Sequence, residues 1–165
     1  MEERHEQEQY FYSRDTVLHL ADFVQTFSFP CCLCTPLVGQ ELVKRGKRIR
    51  ILDIDTRFSQ LPGFCFYDLY RPKWLEEEYD LIICDPPFFK VSLSQLFQSI
   101  RLLSHYNMKQ PLLISYLKRR AASLIGTFSP FGLAASGYSP DYLTVQMTSY
   151  NEIEFFTNLP KEKRI

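Results

Sequence analysis

Short apolar runs alternate along this chain with segments of helical spacing, and this alternation is the strongest constraint on its fold. Runs rich in β-branched and aromatic residues predict strands at 31–34, 48–54, 64–67, 79–84 and 111–116. Helices are predicted after Ser13, from Pro36 to Arg45, and from about Ser92 to His105. Strands joined through helices form right-handed crossovers. The sequence therefore predicts an α/β fold with a mostly parallel, doubly wound sheet.

The pattern changes after the basic run Lys118-Arg119-Arg120. Residues 142–147 and 153–156 are rich in residues that favour strands, and the segment between them favours a turn. Strands joined by so short a connection pair in antiparallel fashion. We therefore expect a C-terminal antiparallel strand pair at the end of the sheet.

The composition is that of a globular domain. The 19 Lys and Arg residues balance 19 Asp and Glu residues, and 45% of the chain is hydrophobic against 23% charged. These values exclude a disordered chain, a collagen and a polycationic nucleic-acid tail. A length of 165 residues fits one domain over residues 1–165, with frayed ends expected at 1–8 and 161–165.

The cysteines and the start of the chain indicate a reducing compartment. No apolar run approaches the roughly 20 residues of a membrane helix, and Met1–Tyr10 is charged where a signal peptide would be apolar. Five cysteines scattered over apolar runs do not form a disulfide framework, and Cys31-Cys32-x-Cys34 lacks the spacing of a zinc knuckle. We expect core thiols, no metal site, no membrane contact and a cytoplasmic location.

Polar residues follow the predicted strands, at the positions where ligands bind in open α/β sheets. They are Thr35-Pro36, Asp53-Ile54-Asp55, Tyr67-Asp68 and Asp85-Pro86-Pro87-Phe88. An acidic residue after the second strand is typical of a ribose site, because a carboxylate accepts two hydrogen bonds from a cis-diol. Asp53 and Asp55 are both candidates. Strand alternation points them in opposite directions, so we expect only one to bind, with Asp55 favoured and the other capping the following turn.

The tetrapeptide Asp85-Pro86-Pro87-Phe88 is the most informative motif. Two consecutive prolines remove two backbone donors and fix the chain in an extended turn. The Asp85 carboxylate and the Pro86 carbonyl can each accept a hydrogen bond from an amino group, while the Phe88 ring offers a face to a planar base. The alternative is a rigid turn with Phe88 in the core. The motif thus predicts a site for an amino nitrogen.

Several segments, in this order, resemble a known family. They are Gln9-Tyr10-Phe11-Tyr12-Ser13, Cys34-Thr35-Pro36, Leu52-Asp53-Ile54-Asp55 with Arg57-Phe58, Phe64–Asp68 and Tyr79–Phe88. The chain resembles the N6-adenine methyltransferase family of DPPF/DPPY amino-methyltransferases, which includes a zinc-knuckle rRNA adenine-N6 methyltransferase and elongation factor 1A lysine methyltransferases. The resemblance implies a Rossmann-like class I methyltransferase with S-adenosyl-L-methionine as cofactor.

The resemblance also implies roles for individual residues. It assigns catalysis to Asp85, Pro86, Pro87 and Phe88. It assigns cofactor contacts to Thr35, Pro36, Asp53, Asp55, Tyr67, Asp68 and Asp85. It assigns substrate contacts to Tyr12, Ser13 and Phe89. The cofactor carboxylate would lie at the helix N-terminus after Thr35, where free amides and the helix dipole favour an anion. For Tyr12 and Ser13 the alternative is helix capping by Ser13 with Tyr12 packed beside it.

The acceptor is the open question. The stretch Leu52–Gln60 and Phe88 look closer to the rRNA enzyme, so the first expectation is N6 methylation of adenine in RNA or another nucleic acid, and the second is a protein lysine. The chain lacks the zinc-knuckle cluster of that enzyme. Basic stretches at 44–50 and 118–120 can meet phosphates or form a solvated surface. A third alternative is a catalytically silent cofactor-binding partner protein; the sequence gives no oligomeric state.

Overall fold

A computed structural model describes residues 1–146 and 148–165 and contains one sheet flanked by helices. The strands are β1 (Pro30–Leu33), β2 (Arg50–Asp53), β3 (Phe64–Phe66), β4 (Leu81–Cys84), β5 (Leu112–Leu117), β6 (Ala134–Ala135) and β7 (Ile153–Thr157). The α-helices are α1 (Arg14–Val24), α2 (Pro36–Lys44), α3 (Leu93–Leu103) and α4 (Ala121–Thr127). These elements confirm the predicted α/β class.

The sheet has the strand order β3-β2-β1-β4-β5-β7-β6. Strands β1 to β5 pair in parallel, whereas β7 runs antiparallel to both β5 and β6. The mostly parallel sheet and the C-terminal antiparallel pair are therefore both confirmed. The reversal between β1 and β4 makes the carboxyl ends of these two neighbouring strands a natural ligand site.

One strand of the antiparallel pair lies elsewhere than predicted. The partner of β7 is β6, not the segment 142–147, in which Tyr142 makes only an isolated bridge with Tyr12 and Met147 lies outside the described residues. The reason is that β5 and β6 already occupy both edges of β7. Tyr142, at the start of the predicted strand, instead lies beside the N-terminal residue Tyr12.

The core has two layers, one on each face of the sheet. Helices α3 and α4 cover one face and α1 and α2 cover the other. Alternation along β1 sends Cys31 and Leu33 to the first layer and Cys32 to the second. All five cysteines are free, and Cys31, Cys32 and Cys84 are buried, as expected of core thiols.

The residues predicted to start helices are found at helix N-termini in the structure. The Ser13 hydroxyl accepts a hydrogen bond from the Thr16 amide at the start of α1, and Ser92 does the same for the Gln95 amide at the start of α3. Pro36 occupies the first turn of α2, where its missing amide costs nothing. Helix α4 was not predicted, because its seven residues include Ser and Gly and carry little helical periodicity.

None of the helices in the described residues has the length and apolar character needed to cross a bilayer.

Gly63 is the position where the backbone least tolerates a side chain. It has φ +87°, and an added Cβ would lie 2.2 Å from the carbonyl oxygen of Ile49. We expect Gly63→Ala to lower the free energy of unfolding by about 2 to 4 kcal/mol, measured by urea denaturation. Gly46→Ala is the matched control, because Gly46 has φ +75° with open space around it and should lose only about 1 kcal/mol. Equal losses would contradict the steric explanation.

Candidate active site

A cavity opens at the carboxyl ends of the parallel strands. Its wall consists of residues that follow β1 to β4 and of the N-terminal segment Gln7–Phe11. The predicted site residues in this wall are Pro36, Asp53, Tyr67, Asp68, Asp85 and Pro87. The structure thus brings one or two residues from each of the four strand ends to a single place.

The loop after β1 leaves a polar group without a protein partner. Cys34 adopts a left-handed backbone with φ +57°, and its amide donates to the Leu52 carbonyl at 2.9 Å. Thr35 then precedes α2 but makes no capping bond with its side chain. Its buried hydroxyl has no hydrogen-bond partner among the described residues. A buried hydroxyl at a helix N-terminus is well suited to bind an anionic ligand group.

Asp53 and Asp55 have different environments. The Asp53 carboxylate lines the cavity and accepts the Asp55 amide at 2.8 Å; burial raises its pKa to about 6. Asp55 lies outside the cavity wall, with both carboxylate oxygens bound by the Arg57 guanidinium and one also by Gln9 at 2.7 Å.

These environments distinguish the two candidates for the ribose ligand. Although burial alone would raise the pKa of Asp55, its bonds to Arg57 and Gln9 lower it to about 2. Its carboxylate is engaged in an internal ion pair, so Asp53 is the better placed acceptor. Strand alternation correctly separated the two side chains, but the sequence pattern did not reveal the partners of Asp55.

The end of β3 supplies a wall and one carboxylate. Tyr67 is buried, and its hydroxyl accepts the Lys73 amide at 3.0 Å. Asp68 is half-buried and uses Oδ1 to accept the Tyr70 amide at 2.9 Å. The Asp68 carboxylate retains acceptor capacity for an amino group in the cavity.

Asp85 is held by two hydroxyl groups. Ser115 Oγ and Tyr142 Oη donate to Asp85 Oδ1 at 2.5 Å and 2.9 Å, and Tyr12 Oη lies 3.3 Å from Ser115 Oγ. Within the described residues Oδ2 receives no hydrogen bond. Burial raises the pKa of Asp85 to about 7, against the opposing effect of the hydroxyl groups. The carboxylate can therefore accept a hydrogen bond from a ligand amine near neutral pH.

The rest of the motif divides between the wall and the interior. Pro86 is buried, whereas Pro87 lines the cavity. Phe88 is half-buried and lies edge-on to Tyr116, with ring centroids 5.5 Å apart, so the structure does not bring it to the cavity wall as a stacking surface. Phe89 is 66% exposed, and its amide donates to Glu8 at 3.1 Å.

Tyr12 and Ser13, for which substrate contact and helix capping were the two alternatives, lie in different surroundings. Ser13 caps α1, as the helix-capping interpretation holds. Tyr12 is buried and joins the hydroxyl groups around Asp85 through Ser115. The two adjacent residues thus have different surroundings.

Sequence reasoning missed the residues that support the carboxylates. Ser115 could have been noticed as the one polar residue in the otherwise apolar run Leu112–Leu117, whereas no local signal marks Tyr142. Within residues 1–8, for which the sequence predicts a frayed end, Glu3 contacts two other segments. Glu3 accepts the Phe11 amide at 2.6 Å and the Thr144 hydroxyl at 2.6 Å. Interactions between distant segments are invisible to local patterns.

No group of three or more metal-ligating side chains occurs within residues 1–146 and 148–165.

Comparison with known proteins identifies relatives of the sequence. The family model described as "Probable N6-adenine methyltransferase" matches residues 3–159. EEF1A lysine methyltransferase 1 from Mus musculus and from Homo sapiens are each 33% identical over 101 residues, which cover 53% of this chain and 47% of each relative. The chain thus spans about half the length of these curated relatives.

Solved structures share the fold at low identity. Magnesium protoporphyrin IX methyltransferase from Synechocystis PCC 6803, with bound SAM, has a TM-score of 0.56 and 16% identity over 87% of this chain and 78% of its own. The Mtq2-Trm112 complex of E. cuniculi contains a chain with a TM-score of 0.58 and 10% identity, covering 90% of this chain and 96% of that one. The fold is that of the Rossmann-like class I methyltransferases.

The raised pKa of Asp85 predicts a pH-dependent cost in stability. The folded state binds this proton more tightly than the unfolded state, so the carboxyl group opposes folding increasingly as the pH rises from about 4 to about 7. We expect Asp85→Asn to raise the free energy of unfolding by about 2 kcal/mol at pH 8 and by much less at pH 4, measured by urea denaturation. An equal effect at both pH values would contradict the pKa shift.

Proposed function

Since the chain belongs to the family described as probable N6-adenine methyltransferases, we propose that it transfers a methyl group from S-adenosyl-L-methionine to an amino nitrogen. The observation that carries this proposal is the Asp85 carboxylate in the cavity wall, with Oδ1 bound by two hydroxyl groups and Oδ2 without a hydrogen bond from the described residues. The prolines after Asp85 offer no amide donor that could compete for it. This is a site built to accept hydrogen bonds from an amine.

The cavity fits the cofactor through its charge and its polar groups. The cofactor supplies an activated methyl group on a sulfonium cation. Four carboxylates, those of Glu8, Asp53, Asp68 and Asp85, share the cavity wall with the single lysine Lys90. An acidic wall attracts a cationic ligand through the summed field of its charges.

Separate parts of the wall fit separate parts of the cofactor. Pro36 brings the start of α2 into the wall, and the first free amides of this helix would bind the methionine carboxylate together with the Thr35 hydroxyl, which is buried next to the wall. The Asp53 carboxylate would accept hydrogen bonds from the ribose hydroxyls. The adenine would lie beside Tyr67, and its exocyclic amine would donate a hydrogen bond to Asp68.

Asp85 would act by orientation. A hydrogen bond from the acceptor amine to Oδ2, and a second to the Pro86 carbonyl, would direct the nitrogen lone pair at the methyl carbon. The lone pair of the neutral amine would form the nitrogen–carbon bond as the carbon–sulfur bond breaks and its electron pair stays on sulfur. S-adenosylhomocysteine would be the leaving group, and the methylated nitrogen would release one proton to water. Positioning and electrostatic stabilisation of the developing positive charge account for the catalysis.

For the acceptor we propose a protein lysine. Two observations support it: the acidic wall suits an ammonium group better than a phosphodiester, and the named relatives at 33% identity are lysine methyltransferases. Phe88, whose ring would stack on a target base, is also not among the residues of the cavity wall. This reverses the order of the two acceptors expected from the sequence.

An adenine in nucleic acid is the second candidate. The description of the matching family supports it, as do the exposed aromatic rings of Phe89 and Tyr150, whose centroids lie 5.9 Å and 4.4 Å from the Arg119 guanidinium carbon. Arginine and aromatic side chains together are typical of single-stranded nucleic-acid surfaces. This cluster lies beside the motif and outside the cavity wall.

The cofactor site can be tested without any acceptor. We expect Asp53→Ala to weaken binding of S-adenosylhomocysteine at least about tenfold in calorimetry at pH 8, because a charge-assisted hydrogen bond to the ribose is lost. At that pH Asp53, with a pKa of about 6, is ionised. Asp15→Ala removes an exposed carboxylate from the first turn of α1 and serves as the control. Unchanged affinity in Asp53→Ala would remove Asp53 from the proposed site.

The acceptor is identified by labelled methyl transfer from S-adenosyl-L-methionine to separated protein, RNA and DNA fractions. We expect label in protein as methyllysine, reduced by about 100-fold or more in Asp85→Ala and unchanged in Asp15→Ala. Label in RNA as N6-methyladenine would establish the second candidate instead. Label in none of the fractions, with S-adenosylhomocysteine bound tightly, would support the silent cofactor-binding protein.

A further inference from the structure

Three hydroxyl groups from distant parts of the chain meet at Asp85. Tyr12 precedes α1, Ser115 lies in β5, and Tyr142 lies between β6 and β7. Ser115 and Tyr142 both donate to Oδ1, while Tyr12 reaches the group through Ser115. Asp85 is thus held from one side by residues outside its own motif.

The position of Ser115 follows from strand register. Cys84 pairs with Ile114 across β4 and β5, so Ser115 and Asp85 are the next residues along two parallel neighbours. Ser115 is fully buried, and its hydroxyl also lies 3.4 Å from the Cys84 carbonyl. A buried hydroxyl costs free energy unless it is bonded, and an apolar residue would fill this strand position without that cost. Stability alone therefore does not explain a serine here.

We infer that Ser115 and Tyr142 are positioning residues, which bind Asp85 Oδ1 so that Oδ2 is presented to the acceptor amine. This inference rests on the proposed methyl transfer and holds for a lysine or an adenine acceptor alike. Neither residue contacts the reacting atoms in this role. Each acts by fixing the rotation and the protonation of the carboxyl group.

The electrostatic surroundings of Asp85 agree with this role. Burial raises the pKa of the phenols of Tyr12 and Tyr142 and of the Cys84 thiol, so these neighbours remain neutral donors at neutral pH. The hydroxyl groups stabilise the ionised carboxylate and oppose the effect of its burial. Without them the carboxyl group would stay protonated to higher pH and would be a poorer acceptor.

The same contacts join the carboxylate to the cavity wall. Tyr12 and Tyr142 form a backbone bridge, and the Leu143 amide donates to the Phe11 carbonyl at 3.0 Å. Phe11 belongs to the segment that lines the cavity. Orientation of Asp85 and closure of the wall by the N-terminal segment therefore depend on one another.

The test compares Ser115→Ala and Tyr142→Phe with the wild-type protein, with Tyr138→Phe as the matched control. Tyr138 lies on the same segment as Tyr142, but its ring stacks on His19 and Phe155, and its hydroxyl is not among the groups that donate to Asp85 in the described residues. The readouts are the NMR titration of the Asp85 carboxyl carbon, the kcat and KM for methyl transfer, and the affinity for S-adenosylhomocysteine. Thermal unfolding checks that each variant is folded.

We expect the Asp85 titration midpoint to move to higher pH in both variants, kcat to fall about tenfold or more, and cofactor affinity to stay unchanged. Tyr138→Phe should match the wild-type protein in all three. A titration midpoint and kcat equal to wild type in both folded variants would overturn the inference. A wild-type protein that methylates no fraction would instead contradict the proposed function, while the titration would still report whether the hydroxyl groups control the carboxyl group.

Discussion

The parallel pairing of β1, β4 and β5 is the constraint on which the site depends. Parallel neighbours end at the same edge of a sheet, so the residues that follow these strands meet there whatever their separation in sequence. This register brings Asp85, at the end of β4, between Ser115 on one side and the loop that starts α2 on the other. The cavity is thus a direct consequence of backbone hydrogen bonding in the centre of the sheet, which is buried on both faces by helices.

Within this frame the carboxylates differ because their neighbours differ. Asp55 has a guanidinium and an amide as partners and keeps its charge, which fixes the turn after β2. Among the hydrogen bonds of the described residues, Asp53 and Asp85 receive only neutral donors, an amide for the first and two hydroxyl groups for the second. Neutral donors leave the negative charge uncompensated. A ligand with a positive charge or polar hydrogens can therefore compensate it.

Local signals predicted most of the fold and about half of the site. Apolar runs with intervening helices identified β1 to β5 and α1 to α3, since strands buried on both faces leave a strong pattern. The acidic residues at strand ends were identifiable because the fold class fixes where ligands bind. The distant partners of those residues were not, because Tyr142 and Gln9 become neighbours of Asp85 and Asp55 only through tertiary packing. The two-residue β6 is too short to leave any pattern at all.

The bridge between Tyr12 and Tyr142 has a consequence for the order in which the molecule is assembled. One of these residues leaves the ribosome early and the other late, and the segment that carries the first forms part of the cavity wall. The central strands can pair before Tyr142 has been synthesised, but the cavity cannot close. A nascent chain would thus hold the paired central strands and an open cleft until Tyr142 has been synthesised, so the closed cavity would form only after that residue.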